Sequence, residues 1–363
     1  MASRRRKTVL IWTKGLDDFL EGSARFNGGI AVQLTFWAKS FLREGWKVWS
    51  FSDMADADIE GISFVTFKNR KGLFAAVIDC FAPLVFLTRL RPSVVIFRGA
   101  SRNLFFVSLW SKFLGVKLVF MGASNTDFEP ENEIINYWHD RMLYRAGIRL
   151  AYKIVVQNET QKNSLERYYG LNDPLLIPNI WGGDDFECGK LSKEDDYLLW
   201  VANFRSIKRP RLYIDLARRN PEVKFLMIGG SNDSSLYREC QESASSVDNL
   251  MFLGGLPFQI ANSYFQGAKL LVCTSESEGF PNTFLQAWAN DVPVVTTFDP
   301  GGVVNQYDLG VVVSEIDQLD AVVNKLLGND ELYNSLVYNI RDYFRLNHDS
   351  RTALKRLIGF DSL

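Results

Sequence analysis

Along the chain, short wholly apolar runs alternate with longer stretches in which apolar residues recur every three or four positions. The first pattern is that of strands buried on both faces and the second that of helices packed over them, so the alternation predicts parallel sheets covered by helices. In the first half "TVLIW", "KVWSFS", "SVVIFRG", "KLVFMG" and "KIVVQN" read as strands, with "GGIAVQLTFWAKSFLREG" a helix closed by Gly45 and "ETQKNSLERYYG" a second helix. In the second half "YLLWVANF", "KFLMIGG", "LMFLGG", "KLLVCTS" and "VPVVTT" read as strands with helical patterns between them. The interval "LIPNIWGGDDFECGKLSKEDD" is rich in Pro, Gly and Asp and reads as a linker. The tail from about Asn339 to Phe360 is helical with no strand after it. The fold class is therefore α/β, with one Rossmann-like domain over 1–180 and a second over 190–344.

A length of 363 residues suits two cores better than one. The longest apolar segment, "LFAAVIDCFAPLVFL", is interrupted by Asp79 and Pro83 and is shorter than the ~20 residues that span a bilayer, so it reads as a buried or surface-lying helix. The apolar run from Val9 to Trp12 is too short for a signal-peptide core, and the scattered Cys80, Cys188, Cys240 and Cys273 form neither a disulfide framework nor a zinc site. A cytoplasmic setting is expected. Net charge is -1, but residues 1–150 hold 21 Lys/Arg against 14 Asp/Glu, leaving 20 against 28 for the rest. That asymmetry, with Arg4, Arg5, Arg6 and Lys7, predicts peripheral contact of the first half with an anionic membrane. Nucleic acid is not expected, because the cations are spread over several elements without an aromatic-lined groove.

Ligands of open parallel sheets sit beyond the carboxyl ends of strands, so the loops there carry the chemistry. After "KLLVCTS" come Glu276, Ser277, Glu278, Gly279 and Phe280, with Pro281 at the first helical position. The amides of Gly279, Phe280, Asn282 and Thr283 then face outward at a positive dipole end and suit an anion. Pro281, Phe284, Leu285 and Trp288 make one apolar stripe, and Asn282 and Gln286 share the opposite side, which turns Gln286 away from the core. After "YLLWVANF" come Arg205, Lys208 and Arg209 before Pro210, cations at a helix start that call for an anion. Gly28 and Gly29, in "RFNGGIAV", allow close approach of backbone to a ligand. "FDPGGVV" ends a further strand with outward amides.

These segments resemble glycosyltransferase family 4, the group 1 glycosyltransferases. "SESEGFPNTFLQAWANDVPVV" is similar to the family's E-G-F-x-x-x-x-L-E-A-x-A-x-G-x-P-V-V, "WVANFRSIKRP" to its V-G-R-L-x-x-x-K-G, and "GGIAVQL" to its Gly-Gly loop. "IVVQNETQK" with "LLIPNIW" resembles the passage that ends its first domain. The resemblance implies a GT-B fold of two facing Rossmann-like domains with a cleft between them, the C-terminal helix 345–363 packing back on the first domain. It implies transfer of a sugar from a nucleotide-sugar donor to a glycan or lipid-linked acceptor in surface polysaccharide or glycoconjugate synthesis. Retention at the anomeric carbon and no metal cofactor are implied as well.

Carried over, Glu278 contacts the transferred sugar, Lys208 holds the diphosphate, and the Gly28 and Gly29 amides approach it. Gln286 stands where the family's second glutamate meets the ribose, and Asn203 where the family has arginine; Arg205 is placed to supply the missing guanidinium. Two other readings compete: a non-catalytic nucleotide-sugar-binding homologue, suggested by Gln286 and Asn203, and a sugar-nucleotide 2-epimerase of the same fold. "DAD", Asp56 to Asp58, has the spacing of a D-x-D metal motif but lies in what reads as an early polar loop. His139 reads as structural.

Overall fold

The computed structural model describes residues 7–22, 28–53, 56–67, 73–183, 196–231 and 234–359, the side chains of 73–79 and 234 excepted. Arg4, Arg5 and Arg6, the stretch 25–27 ahead of the glycine pair, Cys188 and most of the linker lie outside the described residues. The chain divides into two compact units, one of 1–21, 28–182 and 350–363 and the other of 22–27 and 183–349. Each is a mixed α/β body built on a largely parallel sheet, and the two together make the GT-B fold.

The first unit runs β1 (Thr8–Ile11), α1 (Leu16–Leu20), α2 (Gly29–Arg43), β2 (Lys47–Ser52), β3 (Ala57–Ile59), β4 (Ile62–Thr66), α3 (Leu73–Leu90), β5 (Val94–Arg98) and α4 (Asn103–Leu114). It continues with β6 (Lys117–Met121), α5 (Trp138–Leu150), β7 (Lys153–Val156), α6 (Glu159–Tyr169) and β8 (Leu175–Leu176). Its sheet order is β3-β4-β2-β1-β5-β6-β7-β8, parallel except for β3. Leu10, Val95, Phe97, Phe120 and Tyr144 fill the core on one face.

Three expectations are corrected here. The "DAD" run is not a loop: Ala57–Ile59 is an antiparallel edge strand, Asp56 accepts from the amide and hydroxyl of Thr66, and Asp58 accepts from Ser63. The carboxylates are spent on closing a hairpin. The front of the supposed linker belongs to the first unit, because Leu175–Leu176 pairs with β7 and Ile177, Ile180 and Trp181 are buried. The helical tail is two helices rather than one.

The second unit contains β9 (Tyr197–Val201), α7 (Pro210–Arg219), β10 (Lys224–Ile228), α8 (Ser234–Ser245), β11 (Leu250–Gly254), α9 (Phe258–Ser263), β12 (Ala268–Cys273) and α10 (Asn282–Trp288). It ends with β13 (Val294–Thr296), α11 (Val303–Gln306), β14 (Gly310–Val312), α12 (Leu319–Leu327) and α13 (Asp330–Asn347). The sheet is fully parallel, in the order β11-β10-β9-β12-β13-β14. The chain breaks at His348, which is buried among Phe280, Trp288 and Tyr343, and resumes as α14 (Ser350–Gly359). That last helix packs on α2 within the first unit, where Arg43 donates to Ser350 Oγ at 3.2 Å and Arg356 to the Leu176 carbonyl at 2.8 Å. Among the described residues no helix is long and apolar enough to cross a membrane.

Candidate functional site

In the second sheet the strand order reverses between β9 and β12, the kind of point at which a crevice opens beyond the strand ends of an open α/β sheet. The loops leaving these two neighbours carry Lys208 and Glu278. Lys208 Nζ lies 2.7 Å from Glu278 Oε2, and Ser275 Oγ donates to Glu278 Oε1 at 2.7 Å. Both charged side chains are more than four-fifths buried, which strengthens their attraction relative to a surface pair. The anion that the cations at the start of α7 call for is thus supplied by the protein itself. Cys273 sits beneath; burial, then the neighbouring Glu278 carboxylate, push its thiol up to about 11, so it is a neutral thiol rather than a nucleophile.

The two loops are tied together by hydrogen bonds. Trp200 Nε1 donates to Thr274 Oγ1 at 3.0 Å, Thr274 Oγ1 donates to the Lys208 carbonyl at 2.7 Å, and the Glu276 amide donates to the Ile207 carbonyl at 2.9 Å. Arg209 closes the arrangement. Its Nε donates to the Thr274 carbonyl at 2.7 Å and its Nη2 to the Ser275 carbonyl at 3.3 Å and Thr297 Oγ1 at 2.7 Å, which joins the ends of β9, β12 and β13. The Arg209 backbone is left-handed, φ 46 and ψ 54, directly before Pro210. That conformation is unfavourable for a residue with a Cβ by about 1–2 kcal/mol and persists because the surroundings impose it.

Sequence reasoning sees Arg209 only as one cation of a cluster and gives it no role of its own. A signal is nevertheless present: it occupies the glycine position of K-G in the motif that "WVANFRSIKRP" resembles, and it adopts a glycine's conformation. A second signal lies in the paired glycines at the ends of β10 and β11, Gly229-Gly230 and Gly254-Gly255. A Cβ at Gly229 would collide with the Ala202 carbonyl, and Gly254 has φ +72, so these glycines let the strand-end loops close up beside β9.

The remaining expected residues fall as follows. Asn203 and Arg205 are exposed on the β9 loop, and Arg205 makes no ion pair among the described residues. Gly279, Phe280 and Pro281 are buried, with Phe280 stacked edge-on against Trp288, while Asn282 and Thr283 are half-buried. Pro281 is the N-cap rather than the first helical residue, with φ -67 and ψ 128, because the chain remains extended through it. Gly28 and Gly29 lie in the first unit, exposed, as the N-cap and first residue of α2. Ile30, just after them, meets Gly99 at the end of β5, beside the strand reversal of the first sheet.

Gln286 requires a correction. It does not face solvent: it is 4% exposed and its Nε2 donates to Asn262 Oδ1 at 3.1 Å. The apolar stripe is as periodicity describes it, but α9 covers the opposite flank of α10 as well. Gln286→Ala removes one buried side-chain hydrogen bond to Asn262, so stability should fall by about 1–2 kcal/mol in urea unfolding. An unchanged unfolding midpoint would show the bond to be dispensable.

In the first unit the carboxyl ends of β5, β6 and β7 carry a polar ring that the sequence did not announce. Arg98 Nη2 and Gln157 Nε2 both donate to Asn179 Oδ1, at 2.7 and 2.8 Å, and Asp127 accepts from the Ala123 and Ser124 amides. Burial lowers the Arg98 guanidinium to about 10 and raises the Asp127 carboxyl, while each favours the charged form of the other.

Residues 184–343, nearly the whole second unit, match the family model described as glycosyl transferases group 1. A 154-residue stretch is 23% identical to glycosyltransferase 1 domain-containing protein 1 of Xenopus tropicalis, covering 41% of this chain and 45% of that protein. The chain thus spans under half the length of this curated relative. Among solved structures, sucrose-phosphate synthase from Thermosynechococcus elongatus superposes with a TM-score of 0.75 at 15% identity, covering 98% of each chain. A glycosyltransferase from Rickettsia africae gives 0.74, also at 15% identity and 98% of each chain. At such identities the structures speak for the fold, and the family match speaks for the second unit.

Proposed function

We propose that the protein transfers a sugar from a nucleoside-diphosphate donor to a glycan or lipid-linked acceptor, with retention at the anomeric carbon. The observation that carries this reading is the Lys208–Glu278 pair, 2.7 Å apart at the strand reversal of the unit that matches the group 1 model. As the bond from the anomeric carbon to the departing diphosphate breaks, negative charge grows on the phosphate oxygen. A cation fixed beside it stabilises that charge more than it stabilises the ground state. Lys208 takes this role, with exposed Arg205 as a second cation and the 279–283 backbone facing the same phosphates. Glu278 turns to the hydroxyls of the transferred sugar, and Gln286, buried against Asn262, supports α10 from behind.

The acceptor oxygen bonds to the anomeric carbon on the face the diphosphate leaves, and the acceptor's proton passes to the departing phosphate oxygen. No protein base is required. The first unit takes the acceptor at its own strand ends, where the Arg98–Asn179 ring lies, and its basic character fits peripheral contact with an anionic membrane in surface-glycan assembly. A fixed ammonium at the phosphate substitutes for a divalent ion, so EDTA should leave turnover unchanged; loss on chelation with recovery on adding Mg²⁺ would contradict this.

The test is incubation with UDP-, GDP-, ADP- and CMP-linked sugars and an acceptor panel, following released nucleotide and glycosylated acceptor together. Transfer yields both in equal amount. An epimerised sugar with no glycosylated acceptor, or donor binding without turnover, would replace this reading with the epimerase or the non-catalytic binder, the latter favoured by Gln286 and Asn203.

A further inference from the structure

From Cys80 to Thr126 the sequence has six Lys/Arg and no Asp or Glu. That stretch holds α4 and the part of α3 that follows Asp79, and the two helices pack side by side. Their outer faces are apolar where solvent should favour polar groups. Phe81 and Val85 on α3 are 51% and 58% exposed, and Leu109 and Phe113 on α4 are 38% and 76% exposed.

These residues form one surface. The Phe81 ring lies 5.8 Å from that of Trp110, which lies 6.0 Å from that of Phe113, and Trp110 Nε1 donates to the Cys80 carbonyl at 2.7 Å, locking the two helices together. Phe81, Val85 and Arg89 follow at intervals of four on α3, and Leu109, Lys112 and Phe113 share one face of α4. Each apolar stripe is therefore edged by a cation. Among the described residues Lys112, which is exposed, makes no ion pair, and Arg89 makes only a 4.0 Å contact with Asp56.

We infer that the α3–α4 face seats on an anionic bilayer surface, with Phe81, Trp110 and Phe113 entering the headgroup region and Arg89 and Lys112 meeting the lipid phosphates. Aromatic rings at the headgroup boundary, with long cations whose stems lie along apolar surface and whose heads reach out, are the arrangement such an interface favours. A second copy of the chain does not fit. Two such faces would crowd Arg89 and Lys112 of both copies into one interface, whereas lipid phosphates would pair each of them. The inference rests on the membrane contact of the proposed function and names the surface that makes it; vesicle binding reports on it whether or not any sugar moves, so it and the transfer reaction fail separately.

The experiment is flotation of the full chain with phosphatidylcholine vesicles, with and without phosphatidylglycerol, at low and high salt. Binding is expected to the anionic vesicles alone and to weaken with salt. The double variant Phe81→Ser, Phe113→Ser should lose on the order of tenfold or more of that partition, because it removes the apolar area that enters the interface. Lys112→Glu should lower it further, and thermal melts should stay unchanged because these side chains are exposed. Equal partition onto both vesicles, no binding to either, or wild-type binding by the double variant would overturn the inference. So would a dimer in sedimentation velocity that the double variant dissolves.

Discussion

Lys208→Ala should lower kcat/KM by on the order of 100-fold, the scale seen when one preorganised electrostatic contact to a leaving group is lost. The same change leaves the Glu278 carboxylate largely buried, with the Ser275 hydroxyl still donating to it but no cation beside it, so stability should also fall, by ~1–3 kcal/mol. The two effects are separable. In the double variant Lys208→Met, Glu278→Gln no uncompensated charge remains; stability should recover while turnover stays low. Recovery of both together would mean that the pair is structural and that the phosphate is held elsewhere.

Arg209→Gly should lower kcat by about 10- to 100-fold, the penalty of a small misplacement of catalytic groups, with little net change in stability. Glycine relieves the left-handed backbone at this position by about 1–2 kcal/mol, which offsets the lost side-chain hydrogen bonds. The backbone path is kept and only the guanidinium that joins the Thr274 and Ser275 carbonyls to Thr297 is removed. Arg209→Lys should not rescue, since an ammonium lacks the planar fork that reaches three acceptors on two loops. Wild-type kcat in a folded Arg209→Gly protein would show that the strand-end loops hold their positions without the clamp.

These two positions also mark how far the sequence can be read. Strands such as Tyr197–Val201 are legible because nearly every residue is buried, and a continuous apolar run of that length between turn signals is what a strand covered on both faces requires. β14 at Gly310–Val312 is not, being a half-buried three-residue edge, and neither is the two-residue β8. Lys208 and Glu278 are legible because a strand, a loop and a helix start surround each in a recognisable order. The role of Arg209 is not, because its partners lie 65 to 88 residues away and no local pattern records such contacts. Gln286 is misplaced by periodicity for a related reason: the pattern describes one helix's own stripe, and burial of its other flank by α9 is a tertiary fact.

The claim at the centre of this account is that Lys208 meets a diphosphate at the strand reversal of the second unit. Calorimetric titration of wild type and Lys208→Ala with a nucleoside, its monophosphate and its diphosphate, for the base that binds, measures it directly. The account predicts that affinity rises with the diphosphate in the wild type and that most of this rise disappears in the variant, while nucleoside affinity is the same in both. Equal gains from the diphosphate in the two proteins would contradict it.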